Sequence, residues 1–258
     1  MCGRYASSRK PEDLVEEFEV DRVDVSSPLE PDYNVAPTKE VYAVFDRVSK
    51  QVSDEADKQR RLAVLTWGLV PSWAKDPAIG SRMINARVET LAQKPAFRRA
   101  FAKRRALLPA DGYYEWYATS QMTKGNKPVK QPFFIRPVDG GVLAMAGLYE
   151  IWRNPSVAEE DDPKAFLWTV TVITTAAEDA LGHLHDRMPM LVERASYDAW
   201  LDPARTEPDD LRDLLVPAAP GRLEAYPVAK DVNNVKNNGR HLLEPIEAEV
   251  GAGTLFDP

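Results

Sequence analysis

The chain has 258 residues, 44% hydrophobic and 28% charged, with 33 Lys and Arg against 40 Asp and Glu, a net charge of −7 and a single cysteine. This composition is that of a globular protein with a core of its own. It excludes an internal disulfide, and with three histidines it makes a dedicated zinc cage or another resident metal or cofactor unexpected. The acidic balance also excludes coating of nucleic acid by bulk charge. No apolar run approaches the ~20 residues that cross a bilayer and the first residues lack a signal-peptide pattern, so the expectation is a cytoplasmic protein, monomeric by default, in one domain over residues 1–258.

In chain order, Pro11, Glu12 and Asp13 open a helix with Leu14, Val15 and Phe18 as its apolar stripe. Residues 41–48 and 62–67 are strand-like runs joined by a polar connection over 49–61. Further strands are predicted at 106–109, 113–117, 133–136, 142–149, 166–174 and 190–192, and helices at 95–105, 176–184, 196–201 and 208–215. Residues 119–131 and 154–164 have the composition of surface loops. Many strands, mostly joined by short turns and without strict βαβ alternation, predict a mainly antiparallel α+β fold.

Cys2 follows the initiator methionine. Trimming of Met1, favoured by a small second residue, gives a 1,2-aminothiol whose α-amine titrates near pH ~7.7–8.0 and is partly nucleophilic at neutrality. Such an amine condenses with an aldehyde to a Schiff base, and the adjacent thiol closes a five-membered thiazolidine. Gly3 permits close approach of the backbone to a ligand.

Two families begin Met-Cys-Gly: class II glutamine amidotransferases, and the SRAP family of abasic-site processing proteins. The chain resembles the second through Met1-Cys2-Gly3-Arg4-Tyr5, Tyr33-Asn34-Val35-Ala36-Pro37, Trp67-Gly68-Leu69-Val70-Pro71 with Trp73, and Asn85-Ala86-Arg87-Val88-Glu89-Thr90. The resemblance continues through Asp111-Gly112-Tyr113-Tyr114-Glu115-Trp116, Pro132-Phe133-Phe134, His185-Asp186-Arg187-Met188-Pro189 and residues 232–239. It implies a barrel-like β core flanked by helices and covalent capture, by the amine and thiol of Cys2, of abasic sites in single-stranded DNA, with associated lyase, self-release and peptidase-like activity. Glu115 and His185 are implied as acid/base groups, and Asn85 as the residue that recognises the sugar or holds the cysteine. Arg4, Asn34, Trp73, Arg87 and Trp116 are implied as DNA contacts. The alternatives are a glutamine-hydrolysing amidotransferase, whose substrate loops are not evident, and a non-enzymatic single-strand-binding module.

The residue types fit this chemistry independently. Dehydration of a carbinolamine needs a group that donates and then accepts a proton near neutrality, as a histidine does, or a carboxyl raised by apolar neighbours such as Tyr113, Tyr114 and Trp116. Alternation alone points Glu115 at solvent, and His183 competes with His185 for the histidine role. Residues 82–105 carry eight cations against Glu89 alone, a local charge of +7, and supply phosphate ligands. Within that run Arg98 and Arg99 read as a solvated helix face, and Trp67 reads as core.

Overall fold

A computed structural model of the chain describes residues 2–48, 58–177, 184–215 and 221–247. Strand β1 (Tyr5–Ser7) is followed by helix α1 (Pro11–Phe18), and the short β2 (Arg22–Asp24) and β3 (Asp32–Val35) precede β4 (Glu40–Val48) and β5 (Lys58–Trp67). Then come β6 (Asn85–Arg87), α2 (Arg98–Lys103), β7 (Arg105–Ala110) and the long β8 (Gly112–Met122), β9 (Pro128–Pro137), β10 (Leu143–Arg153) and β11 (Phe166–Ala176). The order ends with β12 (Arg187–Pro189), α3 (Tyr197–Leu201), α4 (Pro208–Arg212) and β13 (Leu223–Pro227).

Five strands close on themselves in the order β11-β10-β7-β4-β5, and the circuit is completed by a parallel pairing of β5 with β11 at Thr66↔Thr169 and Trp67↔Val170. The closure is short, and further along the same edges β2 pairs with β5, and β6 and β12 with β11. These three strands extend the ring, while β13-β9-β8-β1-β3 form a separate five-stranded sheet. The expected mainly antiparallel α+β fold with a barrel-like core is therefore the one formed.

Period-two alternation divides the core. Val41, Ala43 and Phe45 of β4, Ala106 and Leu108 of β7 and Met145 of β10 join one buried cluster with Cys2, Tyr5, Tyr113, Phe133 and Ile135 from the other sheet. Their neighbours Tyr42, Val44, Leu107, Ala144 and Ala146 face outward to Leu14 and Phe18 of α1, Phe101 of α2, and Tyr197 and Trp200 of α3. The opposite face of the five-stranded sheet, with Ala6, Tyr114 and Phe134, is covered by Val228, Val232 and Leu242. Both faces of that sheet are thus buried.

Several expectations change. Residues 119–131 are largely strand, because β8 runs to Met122 and β9 begins at Pro128, making one long hairpin where a loop was expected. The strand expected at 190–192 lies earlier, at β12, and Leu191 makes only an isolated bridge to Met145. β11 continues to Ala176, where a helix over 176–184 was expected, and Leu184 sits in a turn. Residues 178–183, with His183, lie outside the described residues, as do 49–57 of the connection between β4 and β5. The remainder of that connection, from Lys58, is already strand.

Candidate functional site

The site begins where β1 enters the five-stranded sheet. Tyr5 pairs with Tyr113 of β8 and with Val35 of β3, fixing the residues just ahead of it. Cys2 has no exposed surface and belongs to the cluster shared by the two sheets. In β8, Glu115 is two residues from Tyr113 and therefore on the same face, opposite Phe133 of β9. Here alternation misleads: the expected solvent-facing glutamate is 3% exposed. A polar residue in an alternating strand points to water only when one face is wet, and this sheet has no wet face at that position.

The barrel supplies the rest. β6 lies parallel to β11, with Asn85 at Val172, and Asn85 Nδ2 donates to the Cys2 carbonyl oxygen at 2.8 Å. Its approach is set by Gly68, whose φ of 127° lies where side chains are strained and where a Cβ would come within 2.6 Å of the Gly80 carbonyl. That contact seats the 3-10 turn Pro77–Arg82 against the end of β5 and delivers the chain to β6. Trp67 Nε1 donates to Ile84 O at 2.9 Å, and the Trp67 ring meets Tyr5 edge-on at 5.1 Å. Trp67 is core, as expected. His185 precedes β12, where Arg187 pairs with Ala176 and its guanidinium holds Glu89 and the Thr174 carbonyl. Thr174 and Thr175 are buried at the end of β11.

Burial dominates the electrostatics. It pushes the Cys2 thiol well above its ordinary value, helped by the charge of Glu115 and opposed by the chain's amino terminus. It also pushes the Glu115 carboxyl up to about 7, against the lowering effect of the amino terminus. His185 is held below the usual histidine value, first by burial and then by the same amino-terminal charge. The Arg187 amide donates to His185 Nδ1 at 3.0 Å, and Asp186 Oδ1 lies 2.8 Å from the same nitrogen. One nitrogen cannot accept from the first and donate to the second. The Asp186 side chain is 85% exposed and screened, so the neutral form prevails, with Nδ1 accepting and the proton on Nε2. Asn85 thus bonds Cys2, and Cys2, Glu115 and His185 all feel the charge of the amino terminus.

The other residues implied by the sequence take up varied positions around the site. Arg4 and Trp116 lie toward the opposite face of the sheet: the Arg4 guanidinium sits 5.7 Å from the Trp116 ring centre and donates to Asn34 Oδ1 at 2.6 Å and to Val232 O at 2.9 Å. Asn34 is fully buried, and its Nδ2 donates to the carbonyls of Val232, Asn234 and Asn237. Trp116 Nε1 donates to Asn233 Oδ1 at 2.6 Å. These three side chains tie the first strands to the segment 232–237. Trp73 is 60% exposed, and Arg87 is exposed on β6 beside Asn85. The basic run is less uniform than its charge implies. Arg105 is buried and donates to the carbonyls of Phe101, Ala102, Trp200 and Asp202, and Arg104 pairs with Glu150.

The family model described as SOS response associated peptidase (SRAP) matches residues 1–235. The chain belongs to the SRAP family. Among SRAP relatives, the abasic site processing protein YoqW of Bacillus subtilis is 38% identical over 244 residues, 95% of this chain and 99% of that protein. The abasic site processing protein YedK of Escherichia coli is 32% identical over 257 residues, 95% of this chain and 100% of that protein. The abasic site processing protein HMCES of Gallus gallus is 31% identical, over 85% of this chain and 68% of its own length. A crystal structure of a protein from Bacteroides thetaiotaomicron shares the fold at a TM-score of 0.76 and 23% identity, over 95% of this chain and all of that one.

The sequence reading left out two side chains at this SRAP site. The Tyr5 hydroxyl is fully buried beside Cys2 with no hydrogen-bond partner among the described residues, and Lys130 of β9 contributes positive charge to both Glu115 and His185. The shared parity of Tyr5 and Tyr113 was a signal for the first. Nothing in the sequence marked the second, whose influence depends on the pairing of β8 with β9. No helix among the described residues is long and apolar enough to cross a membrane.

Proposed function

We propose that this chain processes abasic sites in single-stranded DNA by forming a covalent thiazolidine through Cys2, shielding the damaged strand. The observation that carries the reading is the burial of the Glu115 carboxyl, raised to about 7, where its charge acts on the equally buried Cys2 thiol. Removal of Met1 frees the Cys2 amine, and the peptidase-like side of the chemistry amounts to that trimming.

The amine adds to the ring-opened aldehyde to give a carbinolamine. Protonated Glu115 gives its proton to the carbinolamine hydroxyl, which leaves as water, and the nitrogen lone pair forms the iminium bond. The carboxylate so formed takes the proton of the Cys2 thiol as sulfur attacks the iminium carbon, whose π electrons return to nitrogen. Glu115 ends protonated, as it began, and aldehyde and aminothiol have become thiazolidine and water. A raised thiol is not a free thiolate, so ring closure needs this base. Asn85 fixes the Cys2 carbonyl and thereby the amine. Neutral His185 hydrogen-bonds the sugar ring oxygen through its Nε2–H as the ring opens, while the anomeric hydroxyl proton passes through solvent to that oxygen as its bond to carbon breaks. Release reverses these steps, whereas β-elimination departs from the iminium, which loses the neighbouring C2′ proton to a base as the 3′ phosphate leaves. Arg87 and Trp73, both exposed, contact the flanking strand. The chain acts as a monomer and one domain.

The test is adduct formation on denaturing gels with uracil-DNA-glycosylase-treated single-stranded oligonucleotide. Wild type is expected to give a heat-resistant adduct without reduction, and Cys2→Ala and Cys2→Ser none. Both variants keep the amine and are expected to give an adduct only after borohydride reduction of the Schiff base. An adduct of undiminished yield and stability in Cys2→Ala would sink the proposal.

A further inference from the structure

The cations of residues 82–105 do not form one surface. Arg87 stands on β6 beside Asn85, whereas Arg99 and Lys103 project from α2 into a groove of about 720 Å³ that they line with Arg47, Arg104, Tyr149 and Asp46. The groove lies at the other end of the barrel from Cys2. Along β11, Asn85 pairs at Val172 and Arg187 at Ala176, while the groove lies at the level of Trp168, over whose ring the Arg47 guanidinium sits at 5.1 Å. At ~3.4 Å per residue these levels are about 14 Å and about 27 Å away.

The groove is built rather than incidental. Trp168 stacks on Tyr149 at 6.0 Å with 6° between the planes, and Phe45 packs on Tyr149 at 4.6 Å, so the surface beneath Arg47 is rigid and its guanidinium is pinned by cation–π attraction. Asp46, on the outer side of β4 with Val44, is buried and already bound to Arg60 and Lys58, and Glu150 is bound to Arg104. Arg47, Arg99 and Lys103 are exposed and have no acidic partner among the described residues. A chain of net charge −7 thus gathers around one concavity three cations without an acidic partner among the described residues.

We propose that this groove is a second nucleic-acid contact, holding backbone phosphates of the strand that runs away from the Cys2 site. This rests on the DNA reading above and extends it: Cys2 takes the lesion, and the groove takes phosphates of the same strand at a distance, without reading sequence. The contact is therefore open only to strands long enough to span the barrel.

The test is the triple variant Arg47→Gln, Arg99→Gln, Lys103→Gln, checked to unfold at the wild-type urea midpoint. Binding is measured on unmodified single strands of about 5 and about 30 nucleotides across a salt series, and three lost phosphate contacts at ~0.7 each lower the slope of log affinity against log salt by about 2 on the long strand. Between 50 and 200 mM salt the wild type is then expected to lose about 18-fold more affinity than the variant, while the short strand binds both alike. Crosslinking of a short abasic oligonucleotide is expected to proceed at the same rate in both. Equal slopes on the long strand overturn the groove, whatever Cys2 does; a slope difference without any crosslink upholds the groove and removes the Cys2 mechanism instead.

Discussion

Replacing Glu115 by Gln tests the electrostatics of the site without DNA. The carboxyl stands at about 7 in the folded chain against an ordinary value of 4.5, mainly through burial, which costs its ionised form about 3 kcal/mol. Between those two values the folded chain keeps a proton that the unfolded chain has released, so this group's contribution to stability is greatest below pH 4.5 and is lost as pH rises to about 7. Gln has nearly the same shape and no charge to desolvate. The stability of Glu115→Gln relative to wild type should therefore climb by about 3 kcal/mol across that window, at up to about 1.4 kcal/mol per pH unit, and then level off. Urea unfolding followed by tryptophan fluorescence at closely spaced pH reads this difference, and a common m value shows that only stability has changed. Other groups titrate in the same range, but they cancel between the two proteins. A difference that stays constant from pH 4 to 8 would refute a raised carboxyl, and with it the assignment of Glu115 as the proton carrier. If the assignment holds, the same variant crosslinks roughly 10²–10⁴-fold more slowly.

Other substitutions separate architecture from chemistry. Arg105→Ala strands four backbone carbonyls inside the core and should cost about 3–5 kcal/mol in thermal or urea unfolding. Asn34→Ala removes the amide that donates to three carbonyls of the segment 232–237 together with the Arg4 acceptor; the expected loss is about 2–4 kcal/mol, with faster proteolytic nicking of that segment. Tyr5→Phe deletes a buried hydroxyl that has no partner among the described residues and should leave stability unchanged or raise it by about 1–2 kcal/mol. A loss of more than about 1 kcal/mol would mean that the hydroxyl is satisfied after all.

The strands with apolar residues on alternate positions were legible because the pattern is the pleat itself, and 41–48, 142–149 and 166–174 lie within β4, β10 and β11. The short polar β6, β3 and β13 were not, since Asn85–Arg87 is strand only through its pairing with β11. The hairpin of β8 and β9 escaped for a related reason: residues 119–131 are polar because that stretch rises into solvent, but their backbone remains paired. At the site, Tyr113, Tyr114 and Trp116 were the expected apolar neighbours of Glu115, but alternation keeps only Tyr113 on its face and turns Tyr114 and Trp116 to the other. Alternation did not say which face was inside, because segment 226–243 buries the side that would otherwise be wet. Charge counting found the basic run but not its division, since a count does not distinguish an arginine satisfied by backbone carbonyls, such as Arg105, from one facing water, such as Arg99. The DNA contacts implied for Arg4, Asn34 and Trp116 rest on motif blocks, and what the structure adds is that the same side chains bind one another and the segment 232–237.

The central claim is that the amine and the thiol of one residue both bond to the lesion. Intact-mass and peptide mass spectrometry of the protein after reaction with abasic single-stranded DNA tests it directly. The expected product lacks Met1, carries the DNA at Cys2 with loss of one water, and yields no free thiol to alkylation. A DNA adduct mapped to any other residue, or to Cys2 with Met1 still in place, would contradict it.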